Sequence, residues 1–407
     1  MALRVEAGMG KKLGQQAVVD LNAVSTTFQS ASQTFVRRFG SLLDFATDVV
    51  AIGGHRGMGA NKWSVAGNHG RGRFRENTLK SFHEAVRSGA TFVEFDVQTT
   101  ADGVPVIWHD NYIVFGDPSH PTSKLIQELT YAEFCQLAPI NDYSGAAYVQ
   151  TPNHSTAMSI SSNDSDSSTV ALVDSQPASS SDSQASSTTS LQSAARARLL
   201  RQLQNGYPAR PGDASLDAWH VEEEDHFPTL QQVFAELPED VAFDIEIKMT
   251  TPDTEPCTPP EEVARQLDAI LAVVDSGLTA APRRRLLFSS FDPEVCAELK
   301  RRRPEFAVMF LSGGGYYPHV DPRRTSISAA VGFAAGAGLQ GIILESATMR
   351  AQSHMVEVAR GHGLQVLTYG LANDDPEWVR KQFFLGVHGV IVDDVAGVSA
   401  ALSSALN

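Results

Sequence analysis

The chain has 407 residues, of which 42% are hydrophobic, and this is enough to bury the core of one large domain. Its 47 acidic and 32 basic residues give a net charge of -15, which argues against a nucleic acid partner because the phosphate backbone would be repelled. The three cysteines, Cys135, Cys257 and Cys296, lie far apart without CxxC spacing. They favour a reducing compartment.

Residues 1–48 are interpreted as an N-terminal extension that precedes a single domain over residues 49–407. The sequence shows neither a membrane span nor the pattern of a secretory signal, so we expect no stable membrane insertion. A cytoplasmic location is predicted. Basic residues in the extension leave targeting to a plastid or another organelle as the alternative. The oligomeric state is not indicated.

A serine-rich tract over residues 150–193 contains no lysine, arginine or aromatic residue. Such a segment cannot bury enough apolar surface to offset the entropy lost on ordering, so it is predicted to be disordered. It belongs to a longer insertion, residues 111–226, which interrupts the sequence of the predicted domain without dividing its fold.

Outside this insertion, short apolar segments alternate with helix-like stretches. The eight segments are residues 49–53, 91–97, 241–248, 285–290, 306–311, 340–344, 365–369 and 389–393. This alternation predicts an α/β fold of the (β/α)8 type, a barrel of parallel strands surrounded by helices. The first helix is predicted to begin with Asn77 as its N-cap and to end at Gly89.

One further apolar segment, residues 104–108, follows the second predicted strand after only three residues. The connection is too short for a parallel crossover, so these two strands are predicted to form an antiparallel hairpin. A turn centred on Asp102 and Gly103 would place His109 opposite Asp96.

Acidic side chains mark two of the predicted barrel strands. Glu94 and Asp96 are two residues apart, so both point towards the barrel interior, and Glu246 adds a third carboxylate on the next barrel strand. Three such groups favour a hard divalent cation, Mg²⁺ or Ca²⁺. The alternative is a buried ion-pair network with Lys248 or a nearby arginine.

His55 and Arg56 follow the first predicted strand, at the end of a barrel where active sites are assembled. There the imidazole can transfer a proton and the guanidinium can bind phosphate. Taken alone, His55 and Arg56 are also consistent with a tight turn, and His109 is also consistent with a structural histidine.

Six motifs in order resemble those of the glycerophosphodiester phosphodiesterase family. They are Gly54-His55-Arg56-Gly57, Arg75-Glu76-Asn77-Thr78, Glu94-Phe95-Asp96-Val97, Asp102-Gly103, His109-Asp110 and Glu246-Ile247-Lys248. Further similar segments extend over most of the chain, and the long loop before Arg75 is most similar to the plant and algal branch. The resemblance implies a TIM barrel with a variable insertion.

The resemblance also assigns roles to residues. It implies that His55 and His109 act as general acid and base, and that Glu94, Asp96 and Glu246 hold Mg²⁺ or Ca²⁺. The implied reaction is hydrolysis of a small glycerophosphodiester, such as glycerophosphocholine or glycerophosphoethanolamine, to sn-glycerol 3-phosphate and an alcohol.

Three more residues receive roles in the same way: Arg56 and Lys248 contact phosphate, and Glu76 orients the site. Two departures from the family pattern bear on substrate preference. Arg75 stands where a proline is usual, and Thr368-Tyr369 stands where many members carry a tryptophan.

Two other functions are considered. A phospholipase-type enzyme acting on intact or lyso lipids would need a membrane-docking surface, and no basic amphipathic helix is evident. A barrel that only binds phosphodiesters would not need both the acid–base and the cation-binding residues, all of which are present.

Overall fold

The computed structural model describes residues 51–61, 72–137, 199–204 and 214–404. The N-terminal extension over residues 1–48 and the serine-rich tract over residues 150–193 lie outside these ranges. Their predicted properties therefore stay predictions, as do the domain bounds of 49–407 and the insertion bounds of 111–226.

Eight parallel strands form a closed barrel, because the first strand pairs with both the second and the last. The thirteen described strands are β1 Ala51–Gly54, β2 Phe92–Thr99, β3 Pro105–Ile107, β4 Tyr112–Asp117, β5 His120–Leu125, β6 Leu199–Gln204, β7 Ala214–Ala218, β8 Ala242–Ile247, β9 Leu286–Ser290, β10 Ala307–Ser312, β11 Gly341–Glu345, β12 Gln365–Tyr369 and β13 Gly389–Val392. The barrel order is β1, β2, β8, β9, β10, β11, β12 and β13. Both the predicted barrel and the eight predicted strand segments are confirmed.

Helices lie between successive barrel strands and after the last one. The described α-helices are α1 Leu79–Arg87, α2 Tyr131–Leu137, α3 Leu230–Glu236, α4 Pro260–Ala280, α5 Pro293–Arg302, α6 Pro322–Thr325, α7 Ile327–Gly336, α8 Ser346–Ala351, α9 Met355–Gly361, α10 Pro376–Leu385 and α11 Val395–Ser404. Short 3-10 helices cover Ile126–Glu128 and Leu371–Asp374. No helix within the described ranges is long and apolar enough to cross a membrane.

The start of α1 differs from the prediction, which gave Asn77 as the N-cap. The cap is Thr78, whose side chain accepts a hydrogen bond from the backbone N–H of Ser81. Asn77 has a positive φ of 59° and its side-chain amide donates to Asp96 Oδ2 at 2.8 Å. Asn77 Oδ1, the oxygen that would accept a hydrogen bond in a cap, instead accepts the Asp96 backbone N–H at 3.4 Å.

Strand β2 divides its side chains between two apolar layers. Phe95 points outwards and packs between Phe82 of α1 and Phe243 of β8, with ring centroids 5.4 and 5.3 Å away. Phe92 points inwards and lies against Gly53 of β1, where any Cβ atom would be 2.2 Å from the ring. Because side chains alternate along a strand, Glu94 shares the interior face with Phe92.

The predicted antiparallel hairpin is present, but its predicted register is wrong. Val97 pairs with Ile107, so the residue opposite Asp96 is Trp108 rather than His109, and the Trp108 N–H donates to the Asp96 carbonyl at 3.0 Å. Thr100 N–H donates to the carbonyl of Val104, so residues 101–103 form a three-residue turn, one residue longer than the predicted one. Gly103 closes this turn with a φ of 82°. This extra residue shifts the pairing by one position.

Part of the predicted insertion forms a second, antiparallel sheet with the strand order β5, β4, β6 and β7. A separate apolar cluster joins this sheet to the β2–β3 hairpin through Trp108, with Ile113 of β4, Leu199 of β6 and Trp219 after β7. The insertion sheet is thereby held beside the end of β2 that carries the acidic residues.

Candidate active site

Three buried carboxylates converge at the carboxyl ends of neighbouring strands. Glu94 and Asp96 come from β2 and Glu246 comes from β8, where Asp96 and Glu246 are partners in the parallel register. One oxygen from each carboxylate lies within 4.8 Å of one oxygen from the others. The structure thus brings together the three residues that the sequence analysis assigned to a cation.

Two basic side chains contact the same carboxylates. Lys248 Nζ lies 2.8 Å from Glu246 Oε1 and 3.6 Å from Asp96 Oδ1. Arg56 Nε lies 3.3 Å from Asp96 Oδ2, and the Arg56 backbone N–H donates to Glu94 Oε2 at 2.8 Å. The alternative of a buried ion-pair network therefore describes part of the arrangement.

These basic groups do not satisfy all of the carboxylate oxygens. Among the described residues, Glu94 Oε1 and Asp96 Oδ1 are buried and accept no hydrogen bond. Burial, followed by the charges of Asp96 and Glu246, raises the pKa of Glu94 well above its usual range. Oxygen ligands with excess negative charge match the preference of a hard divalent cation. The donor set therefore fits such an ion.

His55 directly follows β1, and its ring is oriented by a carboxylate next to β13, the last strand of the barrel. Its Nδ1 is 2.6 Å from Oδ1 of Asp393, which follows β13, the strand that pairs with β1. The same oxygen accepts the Ala60 N–H at 3.0 Å. Asp393 was not among the predicted site residues. Its position directly after a barrel strand, like that of His55, was the available signal.

His109 has an equivalent contact, because its Nδ1 lies 2.6 Å from Oδ1 of the adjacent Asp110. His55 and His109 both line one cavity of about 370 Å³, together with Arg56, Glu246 and Lys248. The two histidines, both basic groups and Glu246 of the acidic cluster therefore line the same cavity.

Glu76 lies behind Arg56 and accepts from its Nη1 at 2.9 Å. The backbone N–H of Asn61 and the guanidinium of Arg201 also donate to this carboxylate, the latter at 2.7 Å. Burial alone would raise the pKa of Glu76, but the charges of Arg201 and Arg56 lower it to about 2. Glu76 is therefore ionised and fixes the direction of the Arg56 side chain.

Aromatic rings also line the cavity. They belong to Phe291, Tyr316, Tyr317 and Tyr369, and the carboxylate of Glu345 lies among the lining groups. Tyr369 and Glu345 are neighbours in the parallel register of β12 and β11. Among the described residues, the buried hydroxyl of Tyr369 has no hydrogen-bond partner.

The profile of the glycerophosphoryl diester phosphodiesterase family matches residues 55–396. The chain belongs to this family. The matched range contains all the residues that the sequence analysis assigned to the site, from His55 to Lys248.

Among curated relatives, a glycerophosphocholine phosphodiesterase of Eremothecium gossypii is 30% identical over 356 residues. The match covers 86% of this chain but 26% of the fungal protein. A corresponding enzyme of Candida albicans is also 30% identical, with 28% of its length covered. The chain therefore spans little more than a quarter of these fungal relatives.

A chloroplastic glycerophosphodiester phosphodiesterase of Arabidopsis thaliana is closer in length. It is 27% identical over 358 residues, which cover 88% of this chain and 81% of the relative. A solved structure from Silicibacter pomeroyi, described as a candidate glycerophosphoryl diester phosphodiesterase, has a TM-score of 0.55 at 21% identity. That match covers 91% of this chain and 98% of the other, and supports the barrel fold.

Proposed function

We propose that this protein hydrolyses glycerophosphodiesters, such as glycerophosphocholine and glycerophosphoethanolamine, to sn-glycerol 3-phosphate and an alcohol. The observation that carries the proposal is the shared cavity, where two carboxylate-bound histidines lie beside three converging acidic side chains. Family membership and the activities named for its relatives support the same reaction.

In this proposal, Glu94, Asp96 and Glu246 hold Mg²⁺ or Ca²⁺, which when bound supplies positive charge to the phosphoryl group. Lys248 adds a second positive charge at the cavity wall. Arg56 is buried and held by Glu76, so it acts on the phosphate from a fixed position. Most of the rate enhancement then comes from preorganised charge.

The two histidines exchange protons with the reacting oxygens. Asp393 and Asp110 each accept from the Nδ1–H of one imidazole. The other ring nitrogen, Nε2, is therefore the one through which His55 and His109 exchange a proton with the reacting oxygens. One histidine removes a proton from the attacking oxygen, and the other donates a proton to the departing alcohol.

The direct test is incubation of the purified chain with glycerophosphocholine and either cation, followed by identification of both products. Glycerol 3-phosphate and choline are the expected pair. Glycerol and phosphocholine would show cleavage of the other ester bond, and binding without turnover would favour a phosphodiester-binding barrel. Selective turnover of intact lipid in vesicles would instead favour the phospholipase alternative.

The cavity also supports a preference for a cationic head group. Lys248 Nζ and the Arg324 guanidinium lie 5.7 and 6.0 Å from the ring centroid of Phe291, and these two positive charges suit the anionic phosphate. The cavity lining also includes Tyr316, Tyr317 and Glu345, which offer ring faces and a carboxylate. Aromatic rings and carboxylates attract an alkylammonium ion.

The neutral isostere of glycerophosphocholine is the corresponding diester of 3,3-dimethylbutanol. We expect the wild-type kcat/KM to be about tenfold higher for glycerophosphocholine than for this isostere, because a cation–π contact contributes roughly 1 to 2 kcal/mol. Tyr317→Leu should bring this ratio close to one. Tyr317 is 51% exposed, so the fold should tolerate the change. Tyr317→Phe, which keeps the ring, is the matched control and should retain the ratio. An unchanged ratio in Tyr317→Leu would contradict the preference.

The serine-rich tract is expected to be dispensable for turnover. Deletion of residues 153–190 should leave kcat/KM within about threefold of the full chain, because loop-closure entropy changes slowly with loop length. The proposed site residues all lie outside the deleted segment. Kinetics on glycerophosphocholine at matched cation concentration provide the measurement, and a loss above about tenfold in a folded variant would assign the tract a catalytic role.

A further inference from the structure

Arg201 belongs to β6 of the insertion sheet, yet its side chain reaches the candidate active site and is buried, with 3% of the residue exposed. Its Nη2 donates to Glu76 Oε1 at 2.7 Å and lies 3.5 Å from Asp110 Oδ2. Glu76 holds Arg56, and Asp110 holds His109. One nitrogen atom therefore contacts the carboxylates that orient two of the proposed functional residues.

The insertion sheet fixes the position of this guanidinium. Leu200, the residue before Arg201, pairs with Val114 of β4 and with Ala218 of β7. The guanidinium lies 4.1 Å from the ring centroid of Trp219, whose indole N–H donates to Asn61 Oδ1 at 3.2 Å. The side chain is thus held from both the insertion and the barrel.

We propose that Arg201 is a positioning residue, through which the insertion sheet sets the orientation of His109 and Arg56. The proposal rests on the proposed function. Arg201 is absent from the residues that line the cavity, so it acts through Asp110 and Glu76 rather than on the substrate.

The side chain of Asp110 is 35% exposed, so polar contacts such as that with Arg201 contribute to holding its carboxylate in place. One oxygen binds His109 and the other faces Arg201, so a charged group on each side aligns the carboxylate. Glu76 is fully buried and ionised, and it relies on Arg201 as well as Arg56 for compensation. Without Arg201, both carboxylates lose a partner that restricts their positions.

Arg75 offers a matched control. It is also buried and lies 4.6 Å from the ring centroid of Trp219, so it shares the aromatic contact of Arg201. Its guanidinium pairs with Glu224 at 2.7 Å instead of with Glu76 or Asp110. Removal of either arginine disturbs the same part of the insertion, but of the two it is Arg201 that hydrogen bonds to Glu76 and pairs with Asp110.

The test compares the full-length wild type with Arg201→Met, Arg201→Lys and Arg75→Met on glycerophosphocholine at saturating cation. We expect Arg201→Met to lower kcat by about 10- to 100-fold, the range typical when a group that orients a functional residue is lost. KM should stay within about threefold, because Arg201 does not touch substrate. Arg201→Lys should recover part of kcat, and Arg75→Met should retain it. Thermal midpoints of the two methionine variants should fall by similar amounts.

The outcomes separate this role from the proposed function. Absence of turnover in the wild type would overturn the proposed function, and the role of Arg201 with it. Wild-type turnover with equal kcat in Arg201→Met and Arg75→Met would overturn the role of Arg201 alone. If Arg201→Met does not fold, Arg201→Lys decides: full kcat overturns the proposal, and a reduced kcat at unchanged KM supports it.

Discussion

Replacement of His55 or His109 by alanine is expected to lower kcat by about 10² to 10⁴-fold while the barrel remains folded. Both side chains line the cavity rather than the apolar core, so their loss should leave the packing of the barrel intact. Because each imidazole serves the same transition state, the double variant should lose less activity than the product of the two single losses.

The measurement is steady-state turnover of glycerophosphocholine, whose choline leaving group needs a proton from the enzyme. His362 provides a control, because this C-cap residue of α9 is exposed and its Nδ1 contacts the carbonyl of Val358 in the same helix. His362→Ala should match the wild type. Near-normal kcat in His55→Ala or His109→Ala would remove that histidine from the proposed mechanism.

Removal of divalent cations by exhaustive chelation is expected to abolish turnover, and Mg²⁺ or Ca²⁺ should restore it. Glu94→Gln, Asp96→Asn and Glu246→Gln should each weaken cation binding by at least about tenfold. Loss of a contact that only supports a metal ligand already costs roughly 10- to 100-fold in metal affinity, and loss of a ligand itself should cost no less. Calorimetric titration with the cation alone measures this effect without reference to turnover. Asp268→Asn is the control, because that side chain is 72% exposed.

Thermal unfolding gives a second measure of the same site. The raised pKa of Glu94 means that its ionised form destabilises the cation-free protein at neutral pH, above the usual carboxyl pKa. In chelator, Glu94→Gln should therefore unfold at a higher temperature than the wild type. With saturating cation the order should reverse, because ligand binding stabilises the folded wild type more. Full turnover without cation, or no reversal, would contradict the assignment.

The sequence by itself determined the features that depend on local periodicity. Each barrel strand is a short apolar segment, and the alternation of side chains along β2 places Glu94 and Asp96 on one face whatever the rest of the chain does. Most residues of the candidate site lie in or directly after predicted strands and could be listed for the same reason, whereas Glu76 and the roles of all these residues came from the family resemblance.

Tertiary structure decided the contacts between segments that the chain brings together only on folding. Asp393 reaches His55 across 338 positions because β13 closes the barrel against β1, and Arg201 reaches Glu76 across 125 positions because the insertion sheet packs onto the hairpin. The identity of the residue opposite Asp96 depended on a single glycine in the turn. Local patterns can place a residue such as Asp393 at the end of a strand, but they do not identify its partner, since closure of the barrel and docking of the insertion are set by packing across the whole fold.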